Sequence, residues 1–156
     1  MARTDYYHDP DAPFPNSIVV AASVAVLDRS GRLLLVQRTD SGRWALPGGA
    51  MEPGETLAAC ARREVREETG LTVDVTGLVG IYSDPSHVIA YEDGEVRQQF
   101  NVCFAGKLVG GELRRSSEST SVTFVDTAGL ERLSIHPTQR LRIDHFLEHR
   151  EVPYLG

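Results

Sequence analysis

The chain reads as an α/β fold with a mixed β-sheet held between helices, and three features of its order predict this. Strand-like segments rich in Val and Ala open the chain, an amphipathic helical stretch interrupts them near the middle, and a second helical stretch follows the last strand. With 156 residues, 41% hydrophobic and 24% charged, the chain fits one packed core, burying about two thirds of its unfolded surface. Residues 17–156 are therefore expected to form a single domain.

Residues 1–16 carry three prolines and several aspartates, which predicts a loosely ordered arm. Its Tyr6 and Tyr7 could dock on the body or on a second subunit, which leaves a homodimer open. Ser17 to Asp28 reads as a strand; Asp28-Arg29-Ser30-Gly31 reads as a turn, and Arg32 to Gln37 as the returning strand. Thr56 to Thr69 is dense in helix formers, with Thr56 placed as N-cap and Gly70 as the residue that ends it. Thr72 to Tyr82, Val96 to Lys107 and Val122 to Val125 return to strand patterning, with Phe100, Val102 and Phe104 on one face. Finally, Leu141, Ile143, Phe146 and Leu147 fall at mostly helical spacing between His136 and His149, with Pro137 at the first helical position.

The central helix raises a problem of charge. Glu64, Glu67 and Glu68 fall three and four residues apart, so their carboxylates share a face and repel one another. They also lie at the helix C-terminus, where the macrodipole disfavours each anion by roughly 0.3–1 kcal/mol. Leu57, Cys60, Ala61 and Val65 cluster on nearly the same side, so the carboxylates border the buried stripe, while Arg62 and Arg66 point away. An i,i+4 pair such as Arg63 with Glu67 relieves only about 0.3–0.5 kcal/mol. The face calls for a further cation. Clustered carboxylate oxygens suit a hard divalent ion, and Mg²⁺ leaves positions for water and substrate phosphate.

These residues form a longer pattern: a glycine, five residues, Glu, seven residues, Arg-Glu, an apolar residue, any residue, Glu-Glu, any residue, Gly and an apolar residue. Gly49, Glu55, Arg63, Glu64, Val65, Glu67, Glu68, Gly70 and Leu71 fill every specified place, after Trp44-Ala45-Leu46-Pro47-Gly48. The stretch resembles the Nudix box, and the order of elements from about Asn16 to His149 resembles the same family. The resemblance implies a Nudix-type α/β/α sandwich. It also implies Mg²⁺-dependent hydrolysis, with Mn²⁺ as a substitute, of a diphosphate bond in a nucleoside diphosphate linked to another moiety, ADP-ribose or a nucleotide sugar being favoured. The alternatives are a MutT-type nucleoside triphosphate pyrophosphohydrolase and, in another class, a regulatory nucleotide-binding domain without turnover. Regulatory relatives commonly lose the glutamates that this chain keeps.

By the same resemblance, Glu64, Glu67, Glu68 and the Gly48 carbonyl are metal ligands, and Glu55 with Arg63 is scaffold, together with Gly49 and Gly70. A carboxylate already on a metal is a poor proton acceptor, so another element should supply the remaining catalytic one. Glu118, six residues before Phe124 as in the MutT-type pattern, is the candidate beside Glu67 and Glu68, and Glu95 is its competitor. Arg97 is a candidate phosphate clamp; Tyr82 and Tyr91 are candidate substrate contacts, with Trp44 and His87 as further base-stacking groups. Some ADP-ribose-cleaving relatives carry a proline about sixteen residues beyond the box; Pro85, fourteen beyond Leu71, misses that offset.

Composition narrows the partners. A formal net charge of −6 argues against affinity for a nucleic-acid polymer and leaves a small nucleotide as the expected ligand. Two cysteines, Cys60 and Cys103, predict no structural disulfide and a reducing, cytoplasmic setting. No signal-peptide core and no run of eighteen apolar residues is present, so no membrane partner is expected.

Overall fold

A computed structural model describes residues 2–156. Its ten strands are β1 (Arg3–Tyr7), β2 (Ser17–Leu27), β3 (Leu33–Arg38), β4 (Trp44–Ala45), β5 (Gly48–Ala50), β6 (Leu71–Tyr82), β7 (His87–Tyr91), β8 (Val96–Gly111), β9 (Ser119–Val125) and β10 (Tyr154–Leu155). The helices are α1 (Leu57–Thr69) and α2 (Pro137–Leu147), with a 3₁₀ segment at Thr127–Arg132. One mixed sheet runs β1-β7-β8-β2-β3-β4, with β5 added on β2, β6 on β8, β9 on β3 and β10 on β6. Parallel pairing of β2 with β8 holds from Ser17 opposite Arg97 to Leu27 opposite Lys107. Register shifts along β6 bend it against β8, so the sheet curls.

Alternation along β2 explains the two layers. Ala22, Val24 and Val26 point to the side where Cys60, Ala61 and Val65 of α1 complete one core cluster. Ala25, on the other face, joins Leu33, Leu35, Cys103 and Ile143 of α2 in a second cluster. The sheet therefore lies between the two helices, as the α/β/α expectation requires. Thr56 caps α1 by accepting from the Ala59 amide at 3.1 Å, and Gly70 ends it at φ 75°. A side chain on Gly70 would also meet the Arg114 Cγ at 2.6 Å, so both its conformation and its packing exclude a larger residue.

Within the arm expected over residues 1–16, Arg3–Tyr7 forms a strand, residues 8–16 form no helix or strand, and Met1 lies outside the described residues. Arg3–Tyr7 pairs antiparallel with β7, with Tyr7 opposite His87. Beside that ladder stands a contact that the local sequence does not display: Asp5 meets His87 at 3.0 Å and His136 at 3.5 Å. Tyr7 packs edge-on against both imidazoles.

Candidate active site

The acidic face of α1 is organised by Arg63. Its guanidinium binds Glu55 through Nε and Nη2, Glu64 at 2.9 Å, Glu67 at 3.1 Å and the Ala50 carbonyl at 3.1 Å. The bond from Arg63 holds Glu55 down at about 2, well below an ordinary glutamate. Glu55 also accepts from the Glu52 amide, which fixes the loop before α1 to the helix. Glu55 and Arg63 thus tie the loop before α1 to the helix through a set of bonds. One guanidinium shared by several carboxylates leaves the cluster anionic.

Glu68 lies deeper. Its one hydrogen bond among the described residues is accepted from the Gly48 amide at 3.1 Å, and no cation forms an ion pair with it. Burial, followed by the charges of Glu64 and Glu118, pushes its carboxyl up to about 8, against the pull of the Gly48 amide and Arg38. Glu64 is also raised, chiefly by burial. Gly49 stands against Glu64 so closely that a Cβ there would fall 2.5 Å from the carboxyl carbon. Gly48, paired with Ser23 across β2 and β5, would place a Cβ 2.7 Å from the Ser23 Cα. Gly48 is therefore required by its close approach to backbone, whereas Gly49 leaves room for the Glu64 carboxylate.

Glu68, Gly48 and Gly49 open into a cleft of about 890 Å³, within the range of small-ligand sites. Its floor is the face of the sheet that carries Ala21, Ser23 and Asn101. Arg38, Trp44, Tyr91, Arg97 and His136 also border it. Glu118 immediately precedes β9, and its carbonyl accepts from both the amide and the hydroxyl of Thr39. Its charge acts on Glu64 and on Glu68. Glu95 is tied to Arg97 at 3.0 Å and to Ser17 at 2.9 Å; neither Glu118 nor Glu95 is part of the cleft lining.

Among the tentative substrate contacts, Tyr91 and Arg97 reach the cleft together, with the guanidinium 4.8 Å from the ring centre. Arg97 is already neutralised by Glu95, which weakens its reading as a phosphate clamp. Tyr82 is corrected to a core residue: it is buried, stacks on Tyr154, and its hydroxyl meets His145 Nδ1 at 2.9 Å. Alternation along β6 aims it beneath α2. Several cleft residues carry no signal in the sequence, among them Arg38, Asn101, His136, Gln139 and Arg142; the last three lie at or in α2, whose pattern marks only its apolar spacing.

Chain similarity agrees with this geometry. A family model described as the NUDIX domain matches residues 18–147. A "MutT-like protein" of Streptomyces ambofaciens is 37% identical over 115 residues, which are 74% of this chain and 68% of that protein. An "ADP-ribose pyrophosphatase" of Methanocaldococcus jannaschii is 32% identical over 70% of this chain and 63% of its own length, so under two thirds of that relative is represented. A NUDIX hydrolase crystal structure from Nitrosomonas europaea superposes with a TM-score of 0.70 at 23% identity, covering 88% of this chain and 76% of that one, which attests the fold. A box complete at every position, folded into an acidic helix face beside a nucleotide-sized cleft, places the chain in the NUDIX domain family as a Nudix hydrolase.

Proposed function

We propose that the protein hydrolyses, with Mg²⁺, the diphosphate bond of a nucleoside diphosphate linked to another moiety, ADP-ribose or a nucleotide sugar being favoured. The observation that carries this reading is Glu68, a half-buried carboxylate bordering the cleft with no cation paired to it, beside Glu64 and Glu67. Oxygen donors of this kind fit a hard divalent ion, with Glu64, Glu67, Glu68 and the Gly48 carbonyl to hold it. Such an ion, when bound, neutralises the phosphates and lowers the pKa of a bound water. The chain's own contributions are distinct. Arg63 holds Glu64 and Glu67 in place, the Gly48 amide orients Glu68, and Glu118 is the carboxylate from a second element that accepts the proton of the attacking water. The cleft of about 890 Å³ accommodates a ligand of nucleoside diphosphate conjugate size.

The relative named ADP-ribose pyrophosphatase supports this substrate class, and the relative named MutT-like keeps a nucleoside triphosphate as the second reading. Purified protein incubated with Mg²⁺ and a panel of both classes, in heavy-oxygen water and with products identified by mass, separates them. Nucleoside monophosphate plus a sugar phosphate supports the first reading; monophosphate plus pyrophosphate supports the second. Release of orthophosphate alone from a triphosphate overturns both.

A further inference from the structure

The cleft contains one cation that the acidic helix does not explain. Arg142, on α2, is only 4% exposed, and its Nε is buried without any acceptor. Among the described residues its guanidinium has no ion pair and no hydrogen bond; it lies 5.5 Å from the centre of the Tyr82 ring. The other cleft arginines are compensated: Arg38 by Asp40 at 2.8 Å, Arg3 by the same carboxylate at 3.5 Å, and Arg97 by Glu95. Arg43 is exposed to water. Burying a guanidinium with none of its donors used is costly, and such a group persists where something else offsets the cost.

Two further residues of the cleft wall offer donors. Asn101 accepts from the Ser23 hydroxyl at 2.7 Å through Oδ1, and Gln139, three residues before Arg142 on the same face of α2, accepts from the Leu46 amide at 3.2 Å through Oε1. Both amide oxygens are thereby spent on the protein, and neither amide nitrogen has an acceptor among the described residues. All three side chains border the cleft. What these three side chains leave for the cleft is a fixed cation and two N–H₂ groups, all of them donors.

We propose that Arg142, with Asn101 and Gln139, forms a metal-independent subsite for a phosphate group of the ligand, at the α2 end of the cleft that Glu68 borders. This rests on the diphosphate reading above and deepens it. The acidic helix engages the diphosphate through a divalent ion, whereas Arg142 engages phosphate oxygens directly, through a planar fork. The subsite selects for anionic ligands before any metal arrives.

The test uses the full chain freed of divalent ions with a chelator, and inorganic pyrophosphate as the probe. Pyrophosphate should raise the melting temperature of the parent protein and shift the Arg142 Nε–H resonance in ¹⁵N NMR. Arg142→Met should abolish the pyrophosphate response while leaving the unliganded melting temperature unchanged or higher, because an uncompensated buried charge has gone. Arg142→Lys, which keeps charge and loses the fork, should bind pyrophosphate about tenfold more weakly. The proposal is overturned if the Arg142 resonance stays fixed under saturating pyrophosphate, or if both variants respond as the parent does. Hydrolysis is not the readout, so a parent protein that binds pyrophosphate this way yet turns over no nucleotide would reject the enzymatic reading and keep the subsite.

Discussion

Gly49 and Glu64 occupy one another's space: a Cβ on the glycine would lie 2.5 Å from the glutamate's carboxyl carbon and from its Oε1. The glutamate therefore has its position because position 49 lacks a side chain. Gly49→Ala should push the Glu64 carboxylate off its place beside Arg63 while costing little in fold, since the collision is with the end of a side chain. The expected result is a rise in the metal concentration needed for half-maximal activity, about tenfold or more, the range seen when groups that orient a metal ligand are disturbed. Titrating activity with Mg²⁺ in the variant and parent checks this; coincident curves would show that Glu64's position does not matter to the ion.

Glu68 gives a pH dependence whose sign can be fixed in advance. Its carboxyl sits at about 8 in the folded chain, against about 4.3 when unfolded. Between those values the folded state holds a proton that the unfolded state has lost, so stability declines with rising pH. In chelator, the melting temperature should fall from about pH 4.5 towards 8 and level off above, by a few degrees for each kcal/mol lost. Glu64, also raised, adds to the same slope. A divalent ion takes the ionised form, so Mg²⁺ should stabilise the protein more at pH 8 than at pH 5. Glu68→Gln should flatten the metal-free profile, fold normally and lose activity by about a hundredfold or more. A metal-free melting temperature that climbs between pH 5 and 8 contradicts the assignment.

The parts of this site that could be read from sequence were those written in local spacing. Glu64, Glu67, Glu68 and Arg63 share a helix, and helical periodicity alone brought them to one face. Thr56 and Gly70 announced its ends. The Glu55 to Arg63 bond spans only eight residues and came with the family resemblance. What sequence could not show was long-range. Asp5 reaches His87 and His136 across 82 and 131 positions, and no local pattern marks a strand whose contacts lie so far along the chain. Tyr82 was misread for a related reason: a tyrosine at a strand end looks the same whether it faces a ligand or a helix, and only the docking of α2 decides. Arg142 stands in a helix that also carries Arg140 and Asp144, where an arginine ordinarily reads as solvated.

The Asp5 cluster makes a prediction about the arm. Although partial burial raises the Asp5 carboxyl, hydrogen bonds and charge from His136 and His87 outweigh it and hold the group well below the usual carboxylate range. A depressed carboxylate stabilises the fold above its unfolded pKa and loses that contribution as pH falls towards the folded value. Asp5→Asn should therefore lower the melting temperature at pH 7, and the gap from the parent should narrow below about pH 4. Hydrogen exchange should show faster amides in β1 and in the paired residues of β7. Unchanged exchange in Arg3–Tyr7 would mean that the backbone ladder with β7 suffices to hold the arm.

Glu118 and Glu95, the two candidates for the remaining carboxylate, are distinguished by what each one faces. Glu118 adds its charge to both Glu64 and Glu68, so it shares their field from a different element, and Thr39 pins its carbonyl by two bonds. Glu95 has its oxygens on Arg97 and Ser17, and the Arg97 bond, first among several causes, lowers its pKa. A carboxylate committed to an arginine is a poor base. At saturating Mg²⁺, Glu118→Gln should lower kcat by about a hundredfold or more with little change in KM, the signature of an interaction made mainly in the transition state. Glu95→Gln should instead release Arg97 from its ion pair and change KM more than kcat, since Arg97 and Tyr91 border the cleft. Full kinetics on both variants with one nucleotide substrate decide the matter. If Glu95→Gln stops turnover while Glu118→Gln stays within a few-fold of the parent, the proton acceptor is on the β7–β8 side of the cleft and the role given to Glu118 is wrong.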